Sequence, residues 1–407
     1  MSHFSFRTVF VMFVAAAACA LATPAPAQTP VPEPVETMPI HFGPLGLRPS
    51  VSITNVGSDS NVFHDADNPQ EDFTATAVPR LVARVRGGRL MLSYRSTAEM
   101  VYFRKFTSER AVNTTTDLRL DGNFSRLQPY VSAGWVATRE RLNSEVDVRS
   151  PRTQQAYGAG VRMLLASRTA VVVSARRLAQ NFEDGARFRG VDLSRTLNSR
   201  TDSVDAGLHL LLSPLTTFTM TASFQRDRFE AAPERDSDTL RLLPALQFDP
   251  TALIRGNLAV GYRRFRPLTP ELPDYSGLLV QAGLGYTLLA RTKFDLEAVR
   301  DVQYSFEDLE PYYLSTGGRL TVTHQLVGPL DLQAFAGRQA LAYRQRQLPG
   351  AARRDQFETY GGGAGYRLRD NLRLGVAWET NRRTSALNER EYVRRRVYAS
   401  MTYGSEQ

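Results

Sequence analysis

The stretch Leu278–Phe306 alternates apolar and polar side chains almost without interruption. Leu278, Val280, Ala282, Leu284, Tyr286 and Leu288 take every second position, with Gln281, Gly283, Gly285 and Thr287 between them. After a tight break at Ala290-Arg291-Thr292 the pattern resumes. Phe294, Leu296, Ala298, Val302, Tyr304 and Phe306 then share one face, and Lys293, Asp295, Glu297, Asp301 and Gln303 the other. Side chains of a strand point to opposite faces with period two, so each strand has one apolar and one charged face. Each run is about a dozen residues, which suits a tilted membrane-crossing strand of about 9–11 residues plus flanks. A sheet of such strands must close on itself, because unpaired edge amides find no partner in hydrocarbon.

The rest of the chain repeats this unit. Short breaks fall at Arg86-Gly87-Gly88-Arg89, Ser125-Arg126-Leu127-Gln128, Ala166-Ser167-Arg168, Ser213-Pro214-Leu215-Thr216, Asp249-Pro250-Thr251, Ala290-Arg291-Thr292, Val327-Gly328-Pro329 and Arg369-Asp370-Asn371. They are rich in residues that tight turns favour. Longer polar segments such as Glu183–Arg200, Thr269–Ser276 and Gln345–Gln356 lie between them. A spacing of about 40 residues also suits propeller blades, but each unit divides into two long strands rather than four short ones. The expected fold is all-β: a transmembrane antiparallel up-and-down β-barrel of about 18 strands, or about 16 if the first hairpin stays out of the wall. Its first strand is expected near Pro49–Gly57 and its last from Glu391 to Tyr403.

Composition agrees with a barrel that hides its apolar band in alternate positions. Only 42% of the 407 residues are hydrophobic, and the mean hydropathy is −0.30. The one long apolar run, Val9–Ala22, follows Arg7 and leads to Ala25-Pro26-Ala27. This reads as a secretory signal peptide over residues 1–27, too short to span as a helix. Cys19, the only cysteine, lies within it, so the exported chain is expected to carry no disulfide or thiol chemistry. Residues 28–48 are Pro-rich and aperiodic, an extended periplasmic lead-in, and the barrel is assigned to 49–407. With the barrel pattern, the expected location is the outer membrane of a Gram-negative cell, and the export signal argues against nucleic-acid binding, despite a formal charge of +9.

If the apolar face meets lipid, the opposite face lines a pore. That set includes Arg80, Arg84, Arg95, Arg119, Arg241, Arg255, Arg263, Arg319, Arg367 and Arg373, with Asp295, Glu297 and Asp301 among the acids. Excess arginine favours anionic solutes, since a basic channel raises their local concentration; pairing into wall-bracing salt bridges is the competing role. Tyr286 and Tyr366 fall on the apolar face near the short turns, where an aromatic girdle on the periplasmic side belongs. Arg226, Arg228, Arg264, Arg266, Arg382 and Arg383, near the long loops, are candidates for lipopolysaccharide phosphates. Arg300 and Arg395 fall on the lipid side and are expected to snorkel toward the interface.

Enzymatic chemistry finds little support. His41, His64, His209 and His324 are scattered, and neither a nucleophile elbow nor a Walker loop is present. No cofactor and no metal are expected; the run Asp65-Ala66-Asp67-Asn68 lacks a defined calcium spacing. Glu183–Arg200, the longest insertion, is the candidate for an inward constriction.

One segment carries a family resemblance. Gly57-Ser58-Asp59-Ser60-Asn61-Val62-Phe63, then Asp72-Phe73, Val78-Pro79, Gly87-Gly88-Arg89 and Leu90-Met91-Leu92-Ser93-Tyr94 together resemble the opening of the putative beta-barrel porin families found beside exopolysaccharide synthesis and export genes. The hallmark is an aspartate-x-asparagine loop after strand one and a proline in strand two. The resemblance implies an outer-membrane location and a role in polysaccharide export or secretion, and carries over no catalytic residues. The expected function is a porin-like channel for anionic polysaccharide or other anionic solutes. Its expected partners are outer-membrane lipids, lipopolysaccharide and the barrel assembly machinery. The alternatives are a structural or adhesive barrel acting through its loops, and a lipid-modifying enzyme.

Overall fold

The computed structural model describes residues 35–345, 353–369 and 371–404. The signal peptide read over 1–27 and the lead-in up to residue 34 lie outside the described residues, as does most of the Gln345–Gln356 segment. Eighteen long strands form one wall. They are β1 (Leu45–Asp59), β2 (Asp72–Gly87), β3 (Leu90–Phe103), β4 (Ala111–Gly122), β5 (Leu127–Thr138) and β6 (Arg152–Ala166). Next come β7 (Thr169–Phe182), β8 (Ser199–Ser213), β9 (Thr216–Phe229), β10 (Ser237–Phe248), β11 (Ile254–Pro267) and β12 (Tyr275–Leu288). The last six are β13 (Thr292–Tyr304), β14 (Tyr312–Gln325), β15 (Leu330–Arg344), β16 (Arg354–Arg369), β17 (Leu372–Thr384) and β18 (Tyr392–Tyr403).

Each strand pairs antiparallel with its sequence neighbours, and β1 pairs with β18 to close the ring. The eight sequence breaks are the short turns that join one strand to the next at one end, and the longer loops join them at the other. The wall begins slightly before the expected Pro49, at Leu45, preceded by a three-residue strand, Ile40–Phe42, that folds back on it.

The closing seam is built by the motif that carries the family resemblance. A bulge at Ile53/Val56 interrupts the β1–β18 register, with Asn55 in the left-handed region at φ 54. Gly57 then lies so close to β18 that a Cβ there would sit 1.9 Å from the Val397 carbonyl oxygen. The Asp59 carboxylate accepts from Arg394 Nε at 2.8 Å and from the Asn61 amide at 3.2 Å. Asn61 Nδ2 donates to the Asp65 carbonyl at 2.8 Å, and its Oδ1 accepts from the Asp65 amide at 3.0 Å. The aspartate-x-asparagine pair therefore fastens first strand to last and shapes the first loop. The Asp65 carboxylate is taken up locally by the amides of Asp67 and Asn68.

The apolar alternates face outward: Leu278, Leu296, Leu320, Leu332, Leu374 and Val397 are all exposed. Two strand residues depart from that rule. Val302 is buried and Tyr304 is partly buried, although the alternation puts both in the outward set. The reason is local: β12–β13 pairing stops at Val280↔Arg300, though both strands continue toward the loops. The parting is filled by Phe265, Tyr275, Val302, Tyr312 and Leu314. Phe306, also assigned outward, lies beyond the end of β13 in a buried loop cluster.

Candidate functional site

Strand register puts the wet alternates on the inner face. Arg263 is buried there and bonds Asp301. Arg373 bonds Asp331 with Nε at 3.1 Å, Arg119 bonds Asp121 at 2.8 Å, and Arg396 bonds Glu379 at 2.7 Å. Asp295 pairs with Lys293 at 2.7 Å. Arg319 lies opposite Glu297 in register and over the Phe335 ring at 4.1 Å. Arg241 donates to Ser223 at 3.2 Å. Arg80, Arg84 and Arg95 share the face of Thr97, Ser93 and Asp117; Arg255 and Arg367 share that of Gly285 and Arg373. Charge of both signs thus lines the interior, and several of the arginines brace the wall through carboxylate partners.

At the loop end the interior is crossed by a segment that the strand alternation does not single out. The 139–151 loop, between β5 and β6, reaches the opposite wall. Its Glu145 is fully buried and accepts from Arg390 Nη2 at 2.8 Å, from Ser305 Oγ at 3.0 Å and from the Tyr343 hydroxyl. Arg383 and Arg353 stand 3.6 and 3.8 Å from the same carboxylate and also bond Asp355. The Ser144 carbonyl accepts from Arg383 at 3.0 Å, and Ser144 Oγ meets Gln339 at 3.1 Å. Val146 seats among Phe182, Leu193, Leu197, Phe229, Ala232 and Phe306. The expected constriction, Glu183–Arg200, folds over the mouth beside this loop, with Phe188 against Phe306 at 4.8 Å and Arg189 bonding the Glu389 carbonyl. It supplies the helix Leu193–Leu197, capped by Asp192 through the Ser194 amide at 3.0 Å. The only hint in the sequence is a brief alternation inside the loop, Glu145-Val146-Asp147-Val148, too short to read as a strand.

A second tie joins this loop to the first one. His64 Nδ1 lies 2.8 Å from Asp147, Arg141 Nε lies 2.6 Å from it, and the His64 ring stacks on Tyr392 at 4.3 Å. Burial and the Arg141 charge push the His64 imidazole down to about 3, against the pull of Asp147. Burial raises Asp147, yet His64 and Arg141 hold it at about 2. Since His64 is uncharged at neutral pH, Arg141 is the cation that keeps Asp147 ionised.

Arg383 requires a correction. The expectation that it meets lipopolysaccharide phosphates near the long loops fails, because it is buried on the inner face. Neighbours in a strand cannot share a face, so with Arg382 outward Arg383 must point in. Tyr286, half-buried, and Tyr366, exposed, sit on the outer face near the short turns, Tyr286 stacked on Phe294 at 6.4 Å. Further exposed aromatic pairs occur toward the loops: Trp135 with Tyr157 and Tyr360 with Trp378. His324 meets Thr292 Oγ1 at 2.8 Å, at the short-turn end.

A family model described as "Putative beta-barrel porin 2" matches residues 33–404. No curated protein matches the chain. Among solved structures, it is similar to a BenF-like porin from Pseudomonas fluorescens Pf-5, with 11% identity, TM-score 0.49, and 88% of this chain and 98% of that one covered. It is also similar to Pseudomonas aeruginosa OccK9 (OpdG), at 12% identity, TM-score 0.49 and the same coverages. The siderophore receptor PirA from P. aeruginosa has 10% identity, TM-score 0.43 and covers 88% and 80%.

Proposed function

Since the chain belongs to the family described as "Putative beta-barrel porin 2", we propose that it is an outer-membrane channel that favours anionic solutes, with acidic polysaccharide as the cargo class. The observation that carries this reading is a closed ring with an apolar outer face and an arginine-bearing inner face. In this reading the short turns are periplasmic, the loops face outside, and lipopolysaccharide and the barrel assembly machinery are its membrane partners. Tyr286 and Tyr366 then serve as the periplasmic girdle. Arg80, Arg84, Arg95, Arg119, Arg241, Arg255, Arg263, Arg319, Arg367 and Arg373, with Asp295, Glu297 and Asp301, line the passage. A guanidinium stacked on a ring, as in Arg319 on Phe335 at 4.1 Å, sets a cation beside a flat apolar surface, the two features that suit an acidic sugar.

Planar-bilayer recording tests both levels. The purified chain is expected to give steady openings whose reversal potential under a salt gradient follows the anion. A soluble polyuronate on the loop side is expected to reduce the current more than a neutral dextran of equal size. Cation selectivity refutes the solute class, and absence of openings favours the structural or adhesive role.

A further inference from the structure

We propose that a notch on the outer wall between β13 and β16 is a binding site for a lipid headgroup carrying more than one phosphate. The proposal rests on the membrane-embedded reading above. The notch opens where the β12–β13 ladder ends, at Val280↔Arg300. Its cavity of about 630 Å³ is lined by Arg300, Arg338, Arg344 and Arg354 around a floor that includes Thr316 and Ala340.

Two things together set this patch apart: its arginines converge on one concavity, and they lack the close carboxylate partners that Arg177, Arg200 and Arg228 have on the same outer face. Arg177 and Arg200 share Asp202, at 2.6 and 2.8 Å, and Arg228 reaches Asp238 at 2.8 Å. In the notch, Arg300 donates only to the neutral Thr316 hydroxyl, at 3.0 Å. Arg338 bonds Gln356 and has one carboxylate, the exposed Glu358, 3.9 Å away. Among the described residues, no carboxylate forms a salt bridge with Arg300, Arg344 or Arg354. Four guanidiniums in one concavity repel each other, and cations beside hydrocarbon are costly unless paired. An anion in the notch offsets both effects.

Depth and size identify the anion. Arg338 lies two residues toward the loops from Tyr360, whose ring pairs edge-on with Trp378 at 6.1 Å, both exposed. Outward Tyr and Trp mark the level of the headgroups, so the arginines stand at and above it. Guanidinium forks match phosphate oxygens two at a time. Arg338 and Arg344 are six residues apart on one strand, roughly 20 Å at strand rise. One phosphate does not span that length, whereas a headgroup with two separated phosphates does. The acyl chains of such a lipid would run down the exposed outward leucines below, Leu320 and Leu332.

The test uses the full chain in zwitterionic detergent, titrated with diphosphoryl lipid A and, separately, with its monophosphoryl form, phosphatidylcholine and inorganic pyrophosphate. The variants are the triple Arg300→Gln/Arg344→Gln/Arg354→Gln and, as a control, Arg177→Gln. Diphosphoryl lipid is expected to bind most tightly. The triple variant is expected to lose about 1,000-fold, since each of the three charge-assisted bonds to phosphate is worth roughly tenfold or more, and the control to bind like wild type. Equal binding by the triple variant, equal loss in the control, or pyrophosphate binding as tightly as the lipid would each overturn the site. Conductance of the same preparations keeps the two claims apart. Channels that conduct while the lipid titration fails remove the headgroup site alone, whereas absence of conductance with arginine-dependent lipid binding removes the channel and keeps the site.

Discussion

Substituting Glu145→Ala isolates the anchor that holds the crossing loop in place. The substitution leaves every strand–strand hydrogen bond intact and removes a fully buried carboxylate. Three donors lose their acceptor: Arg390, Ser305 and Tyr343. Breaking one partner of a buried ion pair costs about 3–5 kcal/mol, because the other charge is left uncompensated. Here the lower end applies. Arg390 retains Glu307 at 3.6 Å and the Glu145 carbonyl at 2.7 Å, while Arg383 and Arg353 retain Asp355. A loss of about 3 kcal/mol shifts the docked–undocked equilibrium of the loop by about two orders of magnitude, since about 1.4 kcal/mol is tenfold. Single-channel recording is expected to show larger or far more frequent openings in E145A. Heat-modifiable mobility on a denaturing gel, unchanged from wild type, would show the wall intact. An intact barrel with wild-type conductance and open probability would refute the assignment of this loop as the constriction.

Three further outcomes follow from the geometry. Between its ordinary 6.5 and about 3, His64 takes up a proton only when the loop is undocked. Docking should therefore weaken by about 1.4 kcal/mol per unit as pH falls through that range. Asp147 adds to the trend between 3.8 and about 2, while Glu307, raised by burial and by Glu145, works the other way nearer its ordinary 4.5. Open probability should rise from pH 7 to 5 in wild type and stay flat in His64→Gln; equal slopes in both would remove His64 as the cause. Gly57→Val places side-chain atoms where the Val397 carbonyl already sits, so the folded yield should collapse, while Val393→Ala, at an outward, exposed position of β18, should leave it unaltered. Leu289 and Ala290 carry left-handed backbone, φ 49 and 55, in a short turn without glycine. Ala290→Gly should raise the denaturation midpoint, by up to about 1 kcal/mol in stability, and a fall in the midpoint would count against that turn geometry.

The ring was legible because a wall wetted on one side and greased on the other writes its period into every strand. The turns were legible too, since Gly88 and Gly328 supply the positive φ that tight turns need. The mouth was much harder to read. Glu145 and Arg390 look like ordinary loop charges; their meeting depends on which strands the ring brings face to face, and a single sequence does not state that. Val302 and Tyr304 follow the alternation faithfully, yet are covered because two strands part above Val280. Arg383 shows the opposite case: strict alternation with Arg382 would have turned it inward from sequence alone.

The clasp between Asp59 and Arg394 joins the first strand of the wall to the last. A wall completed only there offers no stable halfway form. Synthesis must deliver β18 before β1 finds its second neighbour, and a stop anywhere within the wall before β18 leaves two raw margins. Nonsense and frameshift alleles should therefore behave alike wherever they fall, producing a cell that lacks the protein rather than one with a leaky remnant.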